Sequence, residues 1–244
     1  MYNLLIIDDD IYFVKNLVNI LLYRIPQLRL VNIATNGVEA CEYVYNKNID
    51  IILLDLTIPK LSGIQVLEKI RKDAEFNNVK ILVISGNLKK YNELVNYKVD
   101  GIYSKPVESD VIVESIKNII DKLDNESVIN KYQDIVFKEL LSLKYNTNHN
   151  GTKYLKDCIL YVIQQNDENL LDNLEKNLYQ IVGKHYGKSV KNIKNNIVKA
   201  TNSMYFECDM NYLLRYFGYS VDIKPTPKVV ISTIVSKVIK RLNV

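Results

Sequence analysis

A run of four apolar residues, Ile51-Ile52-Leu53-Leu54, ends in a single carboxylate, Asp55, with a proline at 59 and a glycine at 63. An unbroken apolar run of that length reads as a strand covered on both faces, in a parallel sheet, with the acid at its carboxyl end. In open α/β sheets that edge is where ligands sit. One acid there means little by itself, because many only cap the next helix. What constrains the fold is how often the pattern returns.

It returns four times in the first half. Asn3–Ile7, Leu28–Ala34, Val79–Ile84 and Gly101–Ser104 are further short apolar runs, each followed by a polar break. Between them, Val14, Leu17, Val18, Leu21 and Leu22 recur at helical spacing until Pro26 stops them. Asn36-Gly37 opens a helix through Asn46, and Gly63–Lys72, Asn87–Tyr97 (a weaker pattern) and Val107–Leu123 are the other helical stretches. Strands alternating with helices require a doubly wound, five-stranded parallel sheet of flavodoxin-like type with right-handed crossovers. Residues 1–123 form that first domain.

The residues at the carboxyl ends of these strands converge on one sheet edge: Asp8, Asp9 and Asp10, then Asp55, Ser85 and Lys105. Carboxylates a few ångströms apart repel by several kcal/mol at an effective dielectric of about 20. Without a cation one of them would stay protonated. A hard divalent ion removes the conflict, and an oxygen-only set of carboxylates, water and a carbonyl suits Mg²⁺. Lys105 reaches the same place, and Ser85 can donate to a charged group held there.

The motifs LLIIDDD, DLTIPKLSG, ILVISG and YSKP resemble, in order and spacing, the receiver domain of the two-component response regulators. That resemblance implies Asp55 as phospho-acceptor, with Asp8, Asp9, Asp55 and the backbone carbonyl of Thr57 holding Mg²⁺. It implies contacts from Ser85 and Lys105 to the phosphoryl group, and a sensor histidine kinase, phosphotransferase or small phosphoramidate as donor. Two details depart from the family. Its switch aromatic stands three residues before the lysine, where this chain has Ile102; Tyr103 is one step later, on the other face of a strand. Thr57 and Asn87, two beyond Asp55 and Ser85, carry neither acid nor base, so the phosphoryl bond is expected not to be especially short-lived.

Asp121–Gln133 is polar and lacks Pro and Gly. It reads either as a connector, with 124–134 the linker, or as the frayed continuation of the preceding helix. Beyond it no strand pattern appears, and 135–244 reads as an all-α domain. Helices are expected at Ile135–Leu143, Tyr154–Gln165, Glu168–Val182, from Val190 to about Ser203, near Met210–Phe217, and up to Leu242. Charge divides in the same way: residues 1–125 carry a net −2 and residues 126–244 a net +6, and Lys176–Phe206 holds six lysines and no acid. Such a basic half suggests a polyanion partner.

Leu178–Thr201 carries the sharpest local pattern. A helix ends at a glycine, Ser189 is a good N-cap, and a second helix follows, which makes a helix-turn-helix over about 168–203. Val190, Ile193, Ile197 and Ala200 form its inward stripe. Lys191, Asn192, Asn195 and Lys199 face outward, with Lys188 just before them. Lysines and amides with no acid suit a major groove.

GTKYLKDCILYVI, LYQIVGKHYGKSVKNIKNNIVKA and LLRYFGYSVDIKPTPKVVIS are similar to the output domain of the master regulator of sporulation initiation in endospore-forming bacteria. The resemblance implies a transcription factor of a sporulation or related developmental programme, binding double-stranded promoter DNA as a homodimer when phosphorylated and touching RNA polymerase. Where that family reads bases with arginine and glutamate, this chain has Lys191, Asn192, Lys194 and Asn195, so a more adenine-weighted site is expected. Lys176, Lys184, Lys188 and Lys199 are expected at phosphates.

Apolar content of 48% with 25% charged residues is ordinary for a soluble globular chain. No apolar stretch approaches the ~20 residues of a membrane span. The N-terminus runs directly into a strand and acids, so no signal peptide is expected, and three isolated cysteines fit a reducing cytoplasm. The other reading of the second half is a protein-interaction module that no longer reads DNA specifically. A phosphoryl-transfer enzyme with an aspartyl intermediate usually needs a second acid where Thr57 stands. The chain is therefore expected not to be an enzyme beyond its own phosphorylation and dephosphorylation.

Overall fold

The computed structural model describes residues 1–86, 91–218 and 224–242. The expected helix Asn87–Tyr97, its Asn87, and the turn at Tyr219 thus fall partly or wholly outside the described residues. Two compact units result, Met1–Asp124 and Asn125–Val244.

The first unit is a five-stranded sheet in the order β2-β1-β3-β4-β5, with every pair parallel. Its strands are β1 (Tyr2–Ile7), β2 (Leu28–Ala34), β3 (Ile51–Leu54), β4 (Lys80–Ser85) and β5 (Gly101–Ser104). The helices are α1 (Ile11–Arg24), α2 (Gly37–Asn46), α3 (Gly63–Lys72), α4 (Tyr91–Leu94) and α5 (Ser109–Ser142). Each face of the sheet has its own core. Leu4, Ile6, Leu53 and Leu82 pack with α1 and the first part of α5, while Leu5, Ile7, Leu54 and Val83 pack with α2 and α3. Alternation along a strand sends neighbouring side chains to opposite faces, so only a strand apolar at every position, as β3 is, fits the centre of such a sheet.

Segment 124–134, expected as a connector or a helical continuation, is helical: α5 runs through it. No Pro or Gly lies in Asp121–Gln133 to stop it.

The second unit is helical among its described residues. Beyond α5 it contains α6 (Asn150–Gln165), α7 (Gln180–Tyr186), α8 (Val190–Glu207), α9 (Met210–Phe217) and α10 (Pro227–Leu242). Leu155, Ile159, Ile193, Ile197, Met204, Ile231 and Ile234 belong to its single buried core. The stretch expected as one helix over Glu168–Val182 is a 3-10 turn at Glu168–Leu171 and a π-helical turn at Glu175–Tyr179 that runs into α7. Asp167 caps the 3-10 turn through the Asn169 amide, and the Asn173 side chain accepts from the Lys176 amide. These short polar side chains compete locally with a continuous helix. No helix among the described residues is long and apolar enough to cross a membrane.

Candidate functional site

The parallel register brings the ends of four strands to one edge. Asp8 and Asp55 follow directly on β1 and β3, Ser85 closes β4, and Lys105 follows β5. Their backbones extend the ladder: the Asp55 amide donates to the Ile7 carbonyl at 2.8 Å and the Lys105 amide to the Ser85 carbonyl at 3.2 Å. The side chains are therefore aimed by sheet geometry rather than by loops.

Lys105 Nζ donates to Asp8 Oδ2 at 2.6 Å and to Asp55 Oδ2 at 2.7 Å. It also stands 4.7 Å above the centre of the Phe13 ring. Carboxylate oxygens of Asp8, Asp9 and Asp55 all lie within 4.8 Å of one another. Asp8 and Asp55 are 3% and 7% exposed, whereas Asp9 is exposed. Burial pushes the Asp8 carboxyl above its ordinary value, against the lowering pull of Lys105 and of the Asp10 amide. Burial alone would lower the Lys105 ammonium, but its hydrogen bonds to Asp55 and Asp8 outweigh that and raise it. A buried acid made harder to ionise by its surroundings and three convergent carboxylates are a donor set that fits a hard divalent cation.

Asp10, the third acid of the triplet, does something else. Its side chain caps α1 by accepting from the Tyr12 and Phe13 amides at 3.1 and 3.0 Å, a common N-cap arrangement. The Thr57 amide donates to Asp55 Oδ1 at 2.8 Å, which fixes the carboxylate from the side opposite Lys105. Gly63 lets α3 start against this loop: a Cβ there would stand 2.3 Å from the Asp55 carbonyl oxygen. Ser85 is fully buried.

On β5 the alternation separates the two candidate switch positions. Ile102 is 40% exposed. Tyr103 turns to the other face, packs on the core beneath α1 and α5, and has its hydroxyl 2.5 Å from Ser115 Oγ on α5.

In the second unit, α7 ends at Gly187, whose φ of +62° is the left-handed conformation that favours glycine. Ser189 then caps α8 by accepting from the Asn192 amide at 3.2 Å. Ile193, Ile197 and Ala200 are buried, while Lys188, Ser189, Lys191, Asn192, Lys194, Asn195 and Lys199 are all exposed. Besides the Ser189 cap, the side chains of two of these are engaged with neighbours. Lys194 forms an ion pair with Glu175 at 2.6 Å, and the Asn192 side-chain oxygen accepts from Asn196 Nδ2 at 3.2 Å. Helical spacing puts Lys191 and Asn195 at the middle of the outward arc and Lys194 at its flank. The π-helical turn, which carries Glu175, is what meets that flank, and no local pattern announces it.

Residues 4–117 match the response regulator receiver domain family. The N-terminal half thus carries a response regulator receiver domain. Residues 136–238 match the family described as sporulation initiation factor Spo0A C terminal, so the chain joins a receiver domain to a Spo0A-like C-terminal domain. Among curated relatives, a probable transcriptional regulator, ycf29, of Porphyra purpurea is 28% identical over 150 residues, covering 60% of this chain and 69% of that protein. The uncharacterized transcriptional regulatory protein YesN of Bacillus subtilis is 27% identical over 170 residues, 67% of this chain and 44% of that protein. For most such relatives the chain spans about half of their length. A CheY-like receiver domain protein from Methanospirillum hungatei aligns at 25% identity over 52% of this chain and 98% of that one, with a TM-score of 0.47.

Proposed function

We propose that the chain is a phosphorylation-controlled transcription factor in which Asp55 is the phospho-acceptor. The observation that carries this is the single ammonium of Lys105 bridging Asp8 and Asp55 at 2.6 and 2.7 Å beside a third carboxylate. An Asp55 carboxylate oxygen attacks the phosphorus of a phosphohistidine on a histidine kinase or phosphotransferase. The P–O bond forms as the P–N bond breaks, and the pair goes to the imidazole nitrogen, which takes a proton from water. Lys105 meets the charge developing on the phosphoryl oxygens, and Ser85 donates to one of them. Asp8, Asp9, Asp55 and the Thr57 carbonyl are the ligands for Mg²⁺. Bound there, the ion supplies the positive charge that draws a phosphoryl group toward an anionic carboxylate. The same donor set explains why a buried Asp8 is kept beside Asp55.

The output half of the reading is that Lys191 and Asn195 reach base edges of promoter DNA while Lys188 and Lys199 contact phosphates. The setting is the cytoplasm, in sporulation or a related developmental programme. Phosphorylation favours a homodimer on DNA, where the output domain also meets RNA polymerase. The second reading, an interaction module that no longer reads DNA, has one observation in its favour: Glu175 neutralises Lys194 on the candidate reading helix.

The deciding experiment titrates duplex DNA with wild type and Asp55→Asn, each with and without phosphoramidate and Mg²⁺. Wild type is expected to gain affinity on treatment and Asp55→Asn to gain none. Equal behaviour of the two proteins removes phosphorylation from the mechanism; no DNA binding by either leaves the interaction module.

A further inference from the structure

Away from the receiver edge and from α8, the output unit gathers charge in one more place. Residues 125–244 contain seventeen basic residues but only two arginines, Arg215 and Arg241. Both line a single cleft of about 590 Å³ between the C-terminal part of α5, α9 and α10. Lys138 and Lys237 line it too, so four cations from three helices share one opening.

The cleft has one acid, Glu139, and it is 4% exposed. Its Oε1 is held by Arg241 Nη1 at 2.6 Å, and its Oε2 accepts from the Tyr216 hydroxyl. Burial, with Glu139 beside it, pushes the Tyr216 phenol far up, so it stays a neutral donor. Lys237 Nζ lies 3.5 Å from the centre of the Tyr216 ring, and the Tyr212 ring tilts against Tyr216 at 5.8 Å. Glu139 and Tyr216 are thus consumed in orienting Arg241 and Lys237. Lys138, Arg215 and Lys237 form no ion pair with any described residue. The wall is left three positive charges in excess.

We propose that this cleft binds a phosphate-bearing anion, with Arg215, Lys138 and Lys237 as its contacts and the Glu139-held guanidinium of Arg241 as a fixed donor. The planar fork of arginine matches phosphate oxygens where an ammonium offers only a point charge. In a unit that uses lysine almost everywhere else, both arginines stand here. The volume is that of a small-molecule site, and the Tyr212 face offers an aromatic surface beside the cations. Two sources carry this chemistry: a free polyphosphate such as a nucleotide, and the backbone phosphates of DNA held by the same domain. The cleft lies within the output unit, and the proposal does not rest on Asp55 chemistry or on base reading by α8.

The test uses the full chain, with inorganic tripolyphosphate and ATP titrated calorimetrically at low salt in EDTA, and duplex DNA titrated across a salt series. Arg215→Gln is the informative variant, since the Arg215 side chain is exposed and its one described bond runs from Nε to the Asn211 carbonyl of its own helix. Its fold can be checked by an unchanged melting temperature. Tripolyphosphate affinity is expected to fall about tenfold in Arg215→Gln, to recover in part in Arg215→Lys, and to stay unchanged in Lys191→Gln. If Arg215→Gln instead leaves tripolyphosphate and ATP unaffected but reduces the DNA salt slope by about one phosphate, the anion is the DNA backbone. If Arg215→Gln and Lys237→Gln both alter neither measurement, the cleft is not an anion site.

Discussion

The receiver edge and the outward face of α8 both collect polar residues at one place, but they hold them by opposite means. At the receiver edge Asp8, Asp55 and Lys105 leave the ends of hydrogen-bonded strands, are largely buried, and touch one another directly. On α8 the lysines and amides project separately from one helix, all exposed, and the buried stripe behind them only fixes the helix. The first arrangement concentrates chemistry in a few interdependent groups in a low-dielectric setting, where a small displacement matters. The second spreads binding over many contacts of modest strength, each screened by solvent and salt. One kind of site fails all at once; the other should erode residue by residue.

The largest expected effect therefore comes from Asp55→Asn. Labelled phosphoramidate should modify wild type and leave this variant with no base- and hydroxylamine-labile acyl phosphate, a complete loss seen by intact mass. Retained modification would show that another carboxylate accepts the group and that the edge is less interdependent than its geometry suggests. Next in size is Lys191→Gln, which removes a charge from the centre of the α8 arc. With Lys191 at a base edge, affinity for the preferred duplex should fall about five- to tenfold at moderate salt, while affinity for unrelated duplex changes less. A hundredfold loss from this one residue would break the contrast between the two regions.

The same contrast governs what could be read from the chain before its structure. Strand-end positions follow from apolar runs and their punctuation, so the gathering of Asp8, Asp55, Ser85 and Lys105 at one edge was legible in the order of four short motifs. The α8 face was legible for the same reason, since helical period and a serine N-cap are local. What could not be read was decided by contacts distant in sequence or by local polar competition. The continuity of α5 turned on an absence, no proline or glycine in Asp121–Gln133, that fits a helix and a polar connector equally well. The break of Glu168–Val182 into 3-10 and π turns depends on asparagine and aspartate side chains that a periodicity reading treats as ordinary helix surface. Glu139 looks like any exposed helix residue; only Tyr216 and Arg241, from helices far along the chain, make it a buried anion. The partner of Lys194, nineteen residues away at Glu175, was equally out of reach of helical spacing.

Smaller, but diagnostic, is the behaviour of Asp8. Its folded-state acidity is weakened by burial, so the native protein holds that proton more tightly than the unfolded chain. Without metal, stability should thus rise as pH falls through the folded value and decline as the carboxyl ionises. Asp8→Asn removes this cost, and in EDTA at neutral pH its melting temperature should exceed that of wild type by about 2–4 °C. Added Mg²⁺ should stabilise wild type, by about 2.7 kcal/mol at a hundredfold excess over its dissociation constant, and Asp8→Asn far less. A variant destabilised in EDTA would mean that the Lys105 bridge, rather than the burial cost, dominates at this edge.

The smallest effect is expected at Lys194, and it sharpens the picture of α8 most. A lysine whose charge is met by Glu175 at 2.6 Å releases little counterion on binding, so Lys194→Gln should leave the DNA salt slope within about 0.2 of wild type. Glu175→Gln should do the reverse, freeing the ammonium and lengthening the slope by up to about 0.9. Because both side chains are about half exposed, at 48% and 54%, the pair itself adds little to stability, and neither variant should move the melting temperature appreciably. On the proposed DNA-binding reading, a pair of so little structural worth on the flank of α8 would act on affinity alone, by setting how far the basic arc extends and how many phosphates one copy of the domain neutralises.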